Sequence, residues 1–418
     1  MAVSSWITDR LRKPVPAALA PPDHYDPAEV AAMLRAVGVA LIETSEPVQL
    51  VEQRLREIAA RYTTAPVEVA VLPTMLLIQI GSQFHEMDAS VQPSGRLDMA
   101  GRIDEIAALA EAGAIAPADA VSAIASARTA PRRFGAVLTT AGYAVTTVGF
   151  GLMIQPSWNA VLPHLFLGLV VGLIVAISGP IPSLAPILPT LSALTVTLLA
   201  TWFVADVAHD GLLRVISPAL IATLPGMALV IGAMELAGGR IVSGASRTVY
   251  AVAQLGLLVY GVVIGVRIAG DVPQQVPSAA MGGWSVYASI AVIAVGLYLY
   301  LSAPRGSLPW LLLTIAVAVL MQNLAGLVLN SAHSGFVAAV VAIPFALLAS
   351  RIRSAPPAGV LALAAFWSLV PGQLTFMSLS RAPSGDYVGT ASISVAAAAI
   401  ASIALGTLVG WSLVRTAR

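Results

Sequence analysis

The chain has 418 residues, 58% of them hydrophobic and 10% charged, with a mean hydropathy of +0.86 and a formal net charge of +1. Soluble domains run at roughly 45–50% apolar and about 25% charged residues, so a soluble enzyme is excluded. One Lys and a net charge near zero leave no basic surface for nucleic acid, and the lack of Cys removes disulfides, thiolate metal sites and thiol nucleophiles.

The charge is unevenly placed. Residues 1–133 hold 12 basic and 16 acidic side chains, and the rest of the chain holds 10 and 5. The first thirty residues, with Asp9, Lys13, Asp23 and Asp26, contain no apolar core of signal-peptide length, so a cytosolic N-terminus is expected. The reading is a flexible lead (1–24), a small cytosolic α/β domain (25–131) and two membrane units (132–270 and 271–418).

In the soluble part, Asp26-Pro27-Ala28-Glu29 has the form of a capping box opening a helix with Val30, Met33, Leu34, Val37 and Leu41 on one face. That helix is expected to end near Thr44. Ser45 is read as the cap of a second helix, with Glu46 and Pro47 in its first turn and Val48, Val51, Leu55 and Ile58 at helical spacing. Val67–Leu72 and Met75–Ile80, separated by Pro73, read as strands. Gly81–Ser94 reads as a loop or hairpin. Two helices follow, Leu97–Ala112 and Pro117–Arg128, with Gly113 closing the first.

From Phe134 onward there are about ten apolar segments near the roughly 20 residues a bilayer requires. They are Phe134–Ile154, Ala160–Ser178, Leu184–Val204, Leu212–Leu236, Thr248–Ile268, Gly283–Ser302, Leu308–Asn330, Gly335–Ser350, Ala358–Leu379 and Val388–Val414. With a cytosolic N-terminus, the inner loops carry Arg132, Arg133, Arg240, Arg247, Arg305, Arg351, Arg353, Arg415 and Arg418. The outer flanks carry Arg214, Arg267 and Arg381, a positive-inside distribution. Pro225-Gly226 and Pro371-Gly372 lie 146 positions apart (371 minus 225), and the same offset carries the first five segments onto the last five. The fold expected is a polytopic α-helical membrane protein of about ten transmembrane helices in a 5+5 inverted repeat, as in secondary transporters.

Each Pro-Gly pair is expected to break its helix, and freed backbone in lipid is tolerated where it is buried in protein or lines a wet cavity. The substrate-binding candidates are Thr223, Pro225 and Gly226 in the first half and Gln322, Asn323, Pro371, Gly372 and Gln373 in the second. Interhelical hydrogen bonding and packing kinks are the alternatives. Glu235, Arg240 and Arg247 near the cytosolic end suggest a gate salt bridge, a proton site or a solvated interfacial carboxylate. Asp206 and His209, with Asp210, suggest a titrating cluster or an exposed polar turn at the outer end. Gly168/Gly172 and Gly261/Gly265 have helix-packing spacing. His85-Glu86-Met87-Asp88 is not a metalloprotease motif, and neither a phosphate loop nor a nucleophile elbow is present. No metal, cofactor or catalytic residue is expected.

Several of these segments together resemble the threonine/serine exporter family. In the soluble part they are Val51-Glu52, Arg96-Leu97, Leu109-Ala110-Glu111-Ala112-Gly113-Ala114-Ile115, Ala118-Asp119-Ala120 and Pro131. In the membrane part they are Leu224-Pro225-Gly226-Met227, Gly239-Arg240, Ser243-Gly244-Ala245-Ser246-Arg247 and Leu369-Val370-Pro371-Gly372. The resemblance implies a proton-motive-force-driven exporter of small hydroxy amino acids, with a cytosolic N-terminal domain and ten spans; the location expected is the plasma membrane, with both termini cytosolic. It extends to a related two-component exporter associated with dicarboxylates, whose two halves this chain would fuse. Ser45-Glu46-Pro47 stands where the family has a small Gly-Ala-type turn. The partners implied are the lipid bilayer and an amino acid, with a homo-oligomer left open. A dicarboxylate exporter and a membrane-anchored hydrolase acting through residues 25–130 are the alternatives.

Overall fold

The computed structural model describes residues 13–14, 16–88, 95–154, 157–179, 181–204, 212–270, 280–369 and 390–415. The N-terminal elements are α1 (Pro27–Glu43), α2 (Val48–Tyr62), β1 (Val67–Leu72), β2 (Met75–Ile80), β3 (Gln83–Asp88), α3 (Leu97–Glu111) and α4 (Pro117–Thr129). The strands form an antiparallel meander in the order β1-β2-β3, with Val69 opposite Ile78 and Val71 opposite Leu76. Alternation places Val69, Val71, Leu76, Ile78, Ile80 and Met87 on one face, which packs on α1 and α2 in a shared core with Leu34, Val37, Leu55 and Ile58. A Cβ at Gly38 would lie 2.6 Å from Leu76 Cδ2, which explains glycine on the sheet-facing side of α1.

One detail settles the loop-or-hairpin expectation as a hairpin, and one differs from the sequence expectation. The segment after Gly81 contains a third strand, an edge strand whose two apolar residues, Phe84 and Met87, fall on opposite faces and so give no alternating signal. Ser45 closes α1 instead of capping α2. Its amide bonds the Ile42 carbonyl, the Glu46 amide bonds that of Leu41, and Ser45 adopts φ +63°, the arrangement glycine usually supplies at a helix end. Pro47 then stands before the first turn of α2. Glu46 turns toward Arg54, which also meets Asp104 at 2.7 Å and Glu111 at 2.5 Å. Burial pushes the Glu46 carboxyl up to about 6 against the pull of Arg54, and Asp104 and Glu111 add to the rise.

The remaining helices are α5 (Ala136–Ile154), α6 (Trp158–Ser178), α7 (Leu188–Leu199, continued by a π turn at Ala200–Val204), α8 (Leu212–Leu220), α9 (Gly226–Ala237) and α10 (Ile241–Ala269). Beyond them lie α11 (Trp284–Tyr300), α12 (Leu308–Gly326), α13 (Ser331–Ala349), α14 (Ala358–Leu369) and α15 (Thr390–Arg415). Among the described residues, six helices are long and apolar enough to cross a membrane. The bent pair α8/α9 makes a seventh if counted as one span, and α7 with its π turn, α11 and α14 are shorter apolar helices. This is a mostly helical, polytopic membrane protein.

Helix packing repeats along the chain. α5 packs on α6, α6 on α7 and α8, and α7 on α8 and α10. Likewise α11 packs on α12, α12 on α13 and α14, and α13 on α14 and α15. The first helices of the two sets, α5 and α11, pack together through small residues. A Cβ at Gly142 would come within 2.5 Å of the Tyr300 amide nitrogen, and one at Gly296 within 2.5 Å of that of Thr146. Gly168 and Gly172 seat α6 on Ala144, Thr147 and Tyr143 of α5, and Gly261 and Gly265 seat α10 on Ala193 and Thr197 of α7. Both glycine pairs are thus packing positions.

Candidate functional site

Between α8 and α9 the chain turns by 63°. Proline has no N–H and its ring crowds the preceding turn, so the helix tightens into a 3-10 turn at Ile221–Thr223, extends at Leu224 and restarts at Gly226 with Pro225 before it. Carbonyls at the end of α8 find new partners. The Tyr143 hydroxyl donates to Ala219 O at 2.8 Å, and the Thr223 hydroxyl to Leu220 O at 2.6 Å. Pro225 at the N-cap position offers no capping side chain, so the first amides of α9 direct partial positive charge into the break. Gly226 is buried. Ile221 and Leu224 pack in one cluster with Ile315 and Val319 of α12 and Leu361 and Ala364 of α14.

A second polar centre lies where α9 ends. Glu235 is fully buried. Arg247 Nε, on α10, donates to both of its carboxylate oxygens, at 3.1 and 3.2 Å, and the Val48 amide in the first turn of α2 donates to Oε1 at 3.1 Å. Arg240, in the turn between α9 and α10, pairs with Glu52 of α2, whose other oxygen accepts from the Val71 amide at 3.2 Å. The N-terminal elements and the apolar helices are therefore joined by two carboxylates satisfied from both sides, and Glu235 is buried rather than solvated.

A family model described as "Putative threonine/serine exporter" matches residues 32–269, more than half of the chain. The chain belongs to the threonine/serine exporter family. No curated protein and no solved structure matches it. The match to this exporter family ends with α10, so both polar centres lie within it and α11–α15 lie beyond it.

Placed on this exporter-family chain, the sequence candidates divide into groups. Thr223, Pro225 and Gly226 meet at the break. Gln322 and Asn323 stand one turn beyond Val319 on α12, the first half-buried and the second exposed, and neither makes a hydrogen bond among the described residues. Glu235, Arg240 and Arg247 gather at the junction. Pro371, Gly372, Gln373, Asp206, His209 and Asp210 lie outside the described residues. Gln254 bonds Tyr250 at 3.0 Å within its own helix. His164 is buried where its ring meets Gly151 of α5.

Sequence reasoning missed Tyr143, Glu52 and the Val48 amide. Glu52 had a signal. It lies four residues after Val48 and three before Leu55, on the apolar face of α2, where a carboxylate needs a partner. Tyr143 and Val48 act across 76 and 187 residues of sequence and carried none.

Proposed function

We propose that this protein is a secondary exporter of threonine and serine across the plasma membrane, driven by the proton-motive force through alternating access between inverted five-helix repeats. The observation that carries the reading is the broken α8/α9 helix at Pro225-Gly226, set against the second half in a chain of an exporter family. Shifted by 146 positions, the starts of α5, α6, α7, α8 and α10 (136, 158, 188, 212 and 241) fall within four residues of those of α11–α15 (284, 308, 331, 358 and 390). The repeated packing pairs support the same two-fold relation, and an odd number of spans inverts the second unit.

The orientation has support of its own. The soluble part touches the loop before α5 and those between α9 and α10, α11 and α12, and α13 and α14. The contacts are Arg96 on Ala130 O and Pro131 O, Arg240 on Glu52, Leu97 N on Leu301 O, and Gly101 against Pro304 and Pro357. These are the arginine-bearing loops expected inside. Trp158 and Trp284, their rings 5.8 Å apart and tilted, are exposed and fit the opposite interface.

In this mechanism the substrate carboxylate binds the uncapped amides of α9, and its ammonium meets carbonyls across the break. Pro371-Gly372-Gln373 supplies the matching element of the second half. Among the described residues the middles of the spans carry no basic side chain, which favours a zwitterion over a dicarboxylate. Glu235–Arg247 and Glu52–Arg240 close the cytosolic side and part when the site opens inward.

Counterflow into proteoliposomes preloaded with unlabelled threonine tests the reading. Labelled threonine should accumulate, serine should compete and succinate should not. Gly226→Leu with Gly372→Leu should abolish uptake in protein that still elutes as a folded species. Unchanged flux in that variant, or accumulation blocked by succinate, refutes the proposed site or substrate.

A further inference from the structure

Beside the junction, a separate cleft of about 540 Å3 opens between α3, the residues leading into α5 and the loop between α11 and α12. Its charge is one-sided. Arg102, Arg132, Arg133 and Arg305 line it with Asp98 and Glu105, but Asp98 is held by both ends of the Arg96 guanidinium, at 3.1 and 2.8 Å, and is almost fully buried. Four guanidiniums thus face one uncommitted carboxylate. Arg133 is fixed in place, donating to Ala303 O at 2.6 Å and lying over the rings of Phe134 and Tyr298 at 4.6 and 5.0 Å. Arg102, Arg132 and Arg305 are exposed and make no hydrogen bond or ion pair among the described residues.

Like charges around one cleft repel one another, so a bound anion relieves that repulsion, and the surroundings indicate which one. Three residues after Arg133 the chain enters α5, where Val137 is 83% exposed and Leu138 is 47% exposed. An anion carrying acyl chains can place its head among the arginines and its tails along these side chains; a free anion has no use for the apolar flank. We propose that this cleft is a binding site for the phosphate headgroup of an anionic phospholipid of the inner leaflet, which fastens the soluble part to the membrane surface. Guanidinium donors match phosphate oxygens, and basic residues at the inner face of a membrane protein form such sites. The inference rests on the membrane placement and is independent of which substrate is carried.

The test uses the full chain in detergent, with short-chain phosphatidylglycerol, short-chain phosphatidylcholine and inorganic phosphate as separate titrants and the melting temperature as readout. Phosphatidylglycerol should raise it saturably and phosphatidylcholine should not. A surface arginine facing an anionic lipid is worth roughly a fivefold change in affinity. The triple variant Arg102→Gln, Arg132→Gln, Arg305→Gln, all exposed positions, should therefore bind phosphatidylglycerol on the order of 100-fold more weakly. Arg267→Gln, at the far end of α10, should leave binding unchanged. Equal stabilisation of the triple variant overturns the site, as does an equal response to phosphatidylcholine. Stabilisation by inorganic phosphate at the same concentrations as the lipid overturns the lipid assignment in favour of a soluble anion. Melting without lipid reports whether the triple variant is folded.

Discussion

Removing Arg247 and removing the charge of Glu235 should have unequal consequences, although the two form one ion pair. Arg247→Leu leaves a carboxylate with no solvent exposure and the Val48 amide as its one donor. Stripping a buried charge of its partner costs about 3–5 kcal/mol. Glu235→Gln keeps an oxygen that still accepts from Val48 and from Arg247, whose side chain is 12% exposed, so the loss is the weaker neutral hydrogen bonding, about 1–2 kcal/mol. In the double variant the carboxylate is gone before its partner is lost. Its destabilisation should stay near that of Glu235→Gln alone, giving a coupling of about 3–5 kcal/mol, the whole cost of Arg247→Leu. Thermal unfolding of the four purified proteins in one detergent, followed by the loss of monodisperse material, measures this. At roughly 2 °C per kcal/mol, Arg247→Leu should melt about 6–10 °C below the parent and Glu235→Gln about 2–4 °C below. Equal losses for the two single variants, or strict additivity in the double, would refute the account of a buried carboxylate held from both sides.

The Arg54 cluster makes stability depend on pH. Glu46 has a folded pKa of about 6 against 4.5, so the protein should gain about 2 kcal/mol from this group as the pH falls below about 4.5 and lose it as the pH rises through 6. Glu46→Gln should flatten melting curves recorded between pH 4.5 and 8 and raise stability above pH 6; a parent and variant with the same pH profile would count against the assignment. Ser45→Gly removes a Cβ from a left-handed position and should raise stability by about 0.5–1 kcal/mol in the same melting assay. Tyr143→Phe takes the hydroxyl from the Ala219 carbonyl and should cost about 1–3 kcal/mol while lowering threonine counterflow; full flux in that variant would separate the break from transport.

Hydropathy made the apolar helices legible because burial in lipid is decided segment by segment. Pro225-Gly226 made the 63° turn legible because the cause is local and covalent. The N-terminal helices and first two strands followed from period and punctuation. Ser45 misled because serine serves both before a helix and, in Asn- or Gly-like fashion, after one, and the choice was made by the chain reversal into Pro47. The junction was half legible. Glu235, Arg240 and Arg247 are near neighbours in sequence, whereas Val48 and Glu52 reach them through tertiary folding that no pattern encodes.

The seam between α5 and α11 also governs assembly. Gly142 meets Tyr300 and Gly149 meets Ile293, contacts spanning 158 residues (300 minus 142) and 144 residues (293 minus 149). At about 5–20 residues per second of synthesis, the partner of the first membrane helix emerges about 7–30 s after it. Throughout that interval α5 sits in the bilayer with a bare glycine groove shaped for another helix backbone. A ribosome that stalls between Ile154 and Trp284 leaves a half-molecule with an open groove, and two such halves offer each other the same surface.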